Sequence, residues 1–183
     1  MFSREQIVAW FDGSHLNKSP AQWDAAKLAW VNAQYMKQAD DARLAGLVAR
    51  QLVSRGLAVV ADDAMTARCA LFKDRCTTTV ELADWIEMYF VDITPPADAV
   101  AEHVTAAVVP ALRALRERLT EVAWEKPAIA LAIKEVLAAH GLKMPQLAIP
   151  LRVLICGRAQ TPSIDAVLQL FSREAVLRRL QNV

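Results

Sequence analysis

Residues 40–56 read DDARLAGLVARQLVSRG, and this stretch decides the fold class. Two aspartates that can cap a helix come first, and a glycine that can end one comes last. Between them the apolar residues recur at intervals of three and four, at Leu44, Leu47, Val48 and Leu52. This spacing places the four side chains on one stripe of a helix. The stretch therefore predicts an amphipathic helix whose apolar side packs on a core.

The composition of the whole chain agrees with a helical fold. Of its 183 residues 55% are hydrophobic and 22% are charged, so the chain can bury a core and is not disordered. It contains 33 alanines but only 5 glycines and 2 tyrosines, which favours helices over a sandwich or barrel with many hairpins. No apolar run reaches the roughly 18 residues that a membrane span needs. We expect an all-α protein.

Capping residues and chain breakers predict helices along the rest of the sequence. Ser3 begins a short helix over residues 3–11, and turns at 12–15 and 17–20 separate it from a helix capped by Asp24. That second helix carries Leu28, Val31 and Tyr35 on one apolar stripe. Beyond residue 56 we expect helices over 61–75, 78–90, 97–107, 110–119, 127–140, 145–156, 161–171 and 172–180.

Residues 92–98 contain Pro95-Pro96, the one Pro-Pro pair of the sequence, and interrupt the helical periodicity. We place the boundary between two helical halves there. Pro150 falls inside a predicted helix and should kink it, because proline cannot donate to the preceding turn.

The residues themselves suggest no active site. The three cysteines, Cys69, Cys76 and Cys156, fit no C-x-x-C spacing, and the histidines lack metal-ligand neighbours. No glycine-rich loop that could cradle a nucleotide phosphate is present. We expect no catalytic residue and no metal site, and we take the reducing cytoplasm as the simplest setting for three unpaired thiols.

Charge is distributed unevenly along the chain. Residues 1–112 hold 10 Lys+Arg and 14 Asp+Glu, a net charge of −4, whereas residues 113–183 hold 11 and 6, a net charge of +5. A cationic region suits contact with a phosphate backbone. Arginines near helix ends, such as Arg178 and Arg179, can equally serve only the C-terminal helix dipole.

Three stretches of this sequence together resemble the C-terminal part of bacterial glutamyl-tRNA synthetases, which are class I aminoacyl-tRNA synthetases. The first runs from residues 2–5 through 17–20 to KLAWVNAQY at 27–35, and the second is LFKDRCT at 71–77. The third runs from PLRVLICGR at 150–158 through TPSI at 161–164 to REAVLRRL at 173–180. Their order and spacing make the resemblance specific, and it spans the chain.

The resemblance implies the anticodon-binding fragment of such an enzyme, an α-helical cage. Residues 1–39 would end the stem-contact region, and residues 40–95 and 96–183 would be two helical anticodon-binding subdomains. The H-I-G-H and K-M-S-K-S type signatures are absent. By the resemblance, ATP and Mg belong to the catalytic part of the parent, a glutamate-tRNA ligase, and the fragment binds tRNA(Glu) without aminoacylating it. We expect no cofactor in the fragment, a monomer, and neither DNA nor membrane as partner.

Site residues are also implied by the resemblance. Arg75 matches the position that reads the third anticodon base, a cytosine in glutamate tRNAs, where enzymes that also charge glutamine tRNA often carry Gln. A guanidinium can donate to O2 and N3 of cytosine, so Arg75 favours a discriminating enzyme. The alternative for Arg75 is an ion pair with Asp74 or another acid.

The first two anticodon bases would be met by Arg152, Thr161, Pro162 and Ile164, with Ile164 standing where leucine is common. Cys156 stands where the family often has Thr, and we interpret it as a core residue. Lys27 and Trp30 fall in the stem-contact motif. We expect Lys27 to reach a tRNA phosphate, and we interpret Trp30 as core in preference to stacking on RNA.

Two other functional classes explain the sequence less well than an anticodon-binding fragment does. A helical interaction or scaffold domain without RNA specificity explains the composition but not the ordered motifs. A helix-turn-helix DNA binder would need a basic recognition helix, which this sequence lacks.

Overall fold

The computed structural model describes residues 2–14, 16, 19, 22–181 and 183. In this part of the chain the regular structure is entirely helical, which confirms the all-α prediction. The turn predicted at 12–15 and the breaker at 17–20 involve His15, Asn17, Lys18 and Pro20, which lie outside the described residues.

Eleven α-helices and two 3₁₀ turns follow one another in the described residues. The helices are α1 (Arg4–Trp10), α2 (Ala25–Gln38), α3 (Asp41–Ser54), α4 (Asp63–Phe72), α5 (Thr79–Ile86), α6 (Ala97–His103), α7 (Val109–Glu121), α8 (Lys126–His140), α9 (Met144–Cys156), α10 (Ile164–Gln169) and α11 (Arg173–Arg179). The 3₁₀ turns are Lys73–Arg75 after α4 and Glu87–Tyr89 after α5.

Helix ends form where local chemistry predicts them. The side chains of Asp24, Asp40 and Asp62 accept hydrogen bonds from backbone N–H groups of the first turns of α2, α3 and α4. Gly141 and Gly157 end α8 and α9 with φ of +62° and +68°, a left-handed conformation that glycine adopts at little cost. These starts and stops are confirmed.

The helices predicted over 61–75 and 78–90 end in the two 3₁₀ turns, and two helices of the second half are shorter than predicted. The helix expected over 97–107 stops at His103, because Thr105 instead accepts from the N–H groups of Val108 and Val109 in a turn. The helix expected over 161–171 covers only Ile164–Gln169 and finishes in a tight turn. Pro150 lies inside α9, as expected from the sequence.

The core is one connected cluster of buried side chains that joins both helical halves. Phe72 and Leu82 from the first half and Leu112 and Leu151 from the second are fully buried in it. The hydroxyl of Tyr89 donates to the Val167 carbonyl at 3.3 Å across the two halves. The division at residues 39/40 and 95/96 stays a prediction.

The apolar stripe predicted on α2 does not pack on this core. Leu28 is 51% exposed and Trp30 is 60% exposed, so the core interpretation of Trp30 is wrong. Met36 alone among the residues of α2 is buried. The reason is the placement of α2, which touches the described fold mainly through the 3₁₀ turn Lys73–Arg75 and leaves Leu28 and Trp30 exposed.

None of the described helices is long and apolar enough to cross a lipid bilayer.

Candidate functional site

The clearest polar arrangement at the surface joins α9 to the segment before α10. The Nε of Arg152 donates to the Thr161 hydroxyl at 3.1 Å, and that hydroxyl donates to the Pro162 carbonyl at 2.8 Å. Thr161 is the one buried polar side chain among the described residues, at 6% exposure. The relay fixes the Arg152 guanidinium and leaves its Nη groups without a protein acceptor in the described fold.

Arg152 lines an open cleft of about 280 Å³ between α8, α9 and the start of α10. Pro162 and Ile164 are buried beside it, so the four residues expected to meet the first two anticodon bases lie together. Sequence reasoning missed the two charged side chains among the further lining residues, Lys134 and Asp165. Their helical spacing gave no signal, because α8 and α10 approach α9 only in the folded chain.

Arg75 lies at the end of the 3₁₀ turn after α4, and this turn is anchored on its N-terminal side. The Nζ of Lys73 donates to the Ala39 carbonyl at 3.0 Å and pairs with the Asp41 carboxylate at 2.8 Å. Cys76, the next residue after Arg75, is buried. Lys73 and Cys76 therefore hold the backbone around Arg75 against the core.

The C-terminal side of the turn is held by Glu81. Its carboxylate accepts from the N–H of Thr77 at 2.7 Å and from the Thr77 hydroxyl at 2.8 Å. These bonds, the backbone one first, lower the pKa of Glu81 below its usual range. The Thr77 carbonyl in turn accepts from the side-chain amide of Asn32 on α2. Arg75 thus projects from a corner fixed at both ends.

The Arg75 side chain is exposed and has no ion pair or side-chain hydrogen bond to any residue that the model describes. The alternative of an ion pair with Asp74 or another acid is therefore absent within that part of the chain. Arg75 is an available guanidinium on a fixed turn.

Lys27 and Trp30 lie apart from these residues, on the exposed side of α2. A separate cleft of about 400 Å³ lies on another face of α2, lined by Leu28, Asn32 and Thr78 among others. Asn32 connects this helix to the Arg75 corner through Thr77. The Asn32 bond therefore ties α2 to the turn that carries Arg75.

Several cationic side chains of the C-terminal half are used inside the fold. Arg173 donates to the carbonyls of Thr120 and Val122 at the end of α7. Arg179 donates to the carbonyls of Met88 at 2.7 Å, Val91 at 2.8 Å and Ile155. Burial lowers the pKa of Arg179. These arginines cap other elements, so the +5 charge of this half is only partly available to a ligand.

Within the described ranges, no group of three or more His, Cys, Asp or Glu side chains could hold a metal ion. The residues that surround the cleft offer no phosphate loop either. The described residues include no carboxylate set that would hold the Mg that the resemblance implies for the complete enzyme.

Comparison with known proteins gives the family. The model of a family described as an anticodon binding domain matches residues 22–183. The chain belongs to this anticodon-binding domain family. It is 58% identical to the glutamate-tRNA ligase of Leptothrix cholodnii and 55% identical to that of Paracidovorax citrulli, in each case over 100% of this chain.

The chain spans about two fifths of the length of these relatives, covering 39% and 38% of them. Two solved structures share its fold. A glutamate tRNA ligase from Elizabethkingia meningosepticum, crystallised with its amino acid, superposes with a TM-score of 0.87 at 19% identity over 99% of this chain and 36% of that chain. A glutamate-tRNA synthetase from Elizabethkingia anophelis gives a TM-score of 0.82 at 20% identity with the same coverage.

Proposed function

We propose that this anticodon-binding domain reads the anticodon loop of tRNA(Glu) as part of a glutamate-tRNA ligase. Family membership supports tRNA as the ligand. The observation that carries the proposal is the pair of available guanidinium groups, Arg75 on an anchored turn and Arg152 held by the Thr161 hydroxyl. Each has free N–H donors at the surface.

Such donors match the chemistry of unpaired RNA bases. Sequence-specific RNA recognition mostly targets loop bases, whose edges accept hydrogen bonds and whose faces stack on apolar or guanidinium planes. Arg152 would meet one of the first two anticodon bases, with Thr161 fixing its orientation and Pro162 and Ile164 giving an apolar floor. Arg75 would donate to O2 and N3 of the third base, a cytosine.

The stem of the same tRNA would approach α2, where Lys27 would contact a backbone phosphate. The exposed ring of Trp30 now favours contact with RNA or with another part of the longer protein. Attachment of glutamate with ATP and Mg would belong to the remainder of the length that the relatives have, and this domain alone would be inactive in aminoacylation. We place the protein in the cytoplasm.

The proposal is tested by titrating this chain with a fluorescent tRNA(Glu) anticodon stem-loop, beside one whose third anticodon base is changed from C to G. We expect micromolar or weaker binding that falls as salt rises, because an anticodon loop offers only a few phosphates. The C form should bind more tightly, and duplex DNA should not compete.

Equal affinity for both stem-loops would contradict reading of the third base. Effective competition by duplex DNA would indicate a non-specific basic surface. No binding at all would contradict the proposal that this chain carries anticodon recognition by itself.

A further inference from the structure

Arg158 is an exposed arginine that belongs neither to the predicted anticodon-binding residues nor to the arginines that cap other elements. It follows Gly157, at the point where α9 ends. Its guanidinium carbon lies 4.2 Å from the centre of the Trp85 ring, and its Nη2 donates to the Asp84 carbonyl at 3.2 Å. Both partners belong to α5, in the other half of the chain.

Trp85 is itself firmly placed. Its ring stacks on Phe72, with the ring centres 5.4 Å apart, and Phe72 is fully buried. An arginine that lies on an aromatic face gains cation–π stabilisation without losing access to water at its edge. The Arg158 guanidinium is therefore held in one position although the residue is exposed.

The donors of Arg158 remain largely available. A guanidinium has five N–H groups, and the hydrogen bond to Asp84 uses one of them. The neighbouring carboxylate of Asp84 is bound instead by Arg55 at 2.6 Å. Arg158 has no ion pair with any side chain that the model describes. A pre-oriented guanidinium fork with free donors matches the geometry of a phosphate group.

Arg158 contacts elements that lead towards both Arg152 and Arg75. Along the chain it is at the end of the helix that carries Arg152. In space it lies on Trp85, whose ring stacks on Phe72, the last residue of α4 before the turn that carries Arg75. Phosphodiesters join the successive nucleotides of an RNA loop. A loop whose bases contact Arg75 and Arg152 would therefore carry its backbone past Arg158.

We propose that Arg158, held by Trp85 and the Asp84 carbonyl, binds a phosphodiester of the anticodon loop between the nucleotides met by Arg152 and by Arg75. The inference rests on the proposed function. Arg158 would position the loop backbone without reading sequence, whereas Arg75 and Arg152 would contact bases.

The test is the slope of log affinity against log salt concentration for the anticodon stem-loop. Removing one phosphate contact makes this slope shallower by about 0.7 to 1. We expect that change in Arg158→Ala, with an equal loss of affinity for the C form and the G form. Arg158→Gln loses the charge but keeps an amide that can donate to Asp84, so it should show the same change while retaining the fold.

Arg116→Ala is the matched control, because Arg116 is an exposed arginine of α7 without an ion pair in the described residues. It should leave the slope at the wild-type value. An unchanged slope in both Arg158 variants would overturn the proposal, and so would a loss confined to the C form, which would make Arg158 a base reader. If the wild type binds both stem-loops equally, reading of the third base fails while a shallower slope still supports the phosphate contact.

Discussion

At the residue scale, the orientation of Arg152 depends on the Thr161 hydroxyl. Thr161→Val keeps the shape of the side chain but removes both hydrogen bonds, leaving the Pro162 carbonyl buried without its donor. We expect the free energy of unfolding to fall by about 1 to 3 kcal/mol. Stem-loop affinity should fall as well, because the guanidinium of Arg152 is released. Thermal and urea unfolding, with stem-loop titration, measure both effects.

Thr161→Ser is the control for this substitution, because serine keeps the hydroxyl. It should bind the stem-loop nearly as the wild type does. A Thr161→Val protein with wild-type affinity and stability would show that the relay has no part in positioning Arg152.

The reactivity of the three cysteine thiols is also set at the residue scale, by their burial. Burial raises the pKa of Cys69, Cys76 and Cys156 to about 12 each, from an ordinary value of 9.0. At pH 8 the thiolate fraction is then about 1000-fold smaller than in the unfolded chain. We expect iodoacetamide to label the native protein at least about 100-fold more slowly than the protein in urea. Rapid labelling of the native protein would contradict the burial of these thiols.

The same shifts predict how stability depends on pH. The folded state keeps its thiol protons to a higher pH than the unfolded state, so the contribution is complete below pH 9 and is lost as pH rises from 9 to about 12. Urea midpoints measured at pH 8, 9.5 and 10.5 should therefore fall in that order.

At the element scale, Arg179 ties three helix or turn ends together. Its guanidinium serves the carbonyls of Met88, Val91 and Ile155, which come from both halves of the chain. Arg179→Met leaves these acceptors without their donor, so we expect the free energy of unfolding to fall by about 3 kcal/mol. Chemical denaturation measures this directly.

The adjacent arginine supplies the control. Arg178 pairs with Asp92 at 2.7 Å, but both side chains are mostly exposed, so Arg178→Met should cost at most about 1 kcal/mol. Equal destabilisation by the two variants would contradict the capping role of Arg179.

Elements were predictable where their cause is local. Asp40 and Gly141 fix helix ends through contacts within a few residues, so the residue types in the local sequence predict those ends. The face of α2 was not predictable in this way, because the periodicity of Leu28 and Tyr35 says that a stripe exists but not that the described fold covers it. Trp30 was misread for the same reason.

At the scale of the whole molecule, the candidate site depends on contacts between distant parts of the chain. Arg152 and Thr161 are nine residues apart, and their motif could be recognised in the sequence. Arg158 and Asp84 are 74 residues apart, and neither local sequence predicts their contact. The carbonyl groups that accept from Arg173 and Arg179 could not be predicted either. Positive charge alone does not distinguish an arginine that contacts a ligand from one that caps a helix inside the fold.

The two halves of the domain are joined by direct contacts. The core runs through both halves, and Arg158 and Arg179 connect the first to the end of α9. If Arg75 and Arg152 contact bases of one loop, their separation stays fixed only when this connection is stiff. We therefore expect the reading of the loop to be a property of the whole domain and not of either half.

The most direct test of the account is the ratio of stem-loop affinities, third base C against G, in wild type, Arg75→Ala, Arg75→Gln and the control Arg50→Ala. Arg50 is an exposed arginine of α3. A bidentate guanidinium contact discriminates by about 1 to 3 kcal/mol, so the wild type should prefer C by roughly 5- to 150-fold. The preference should vanish in Arg75→Ala, weaken in Arg75→Gln and persist in Arg50→Ala. A preference for C that survives in Arg75→Ala would contradict the assignment of Arg75 as the reader of the third anticodon base.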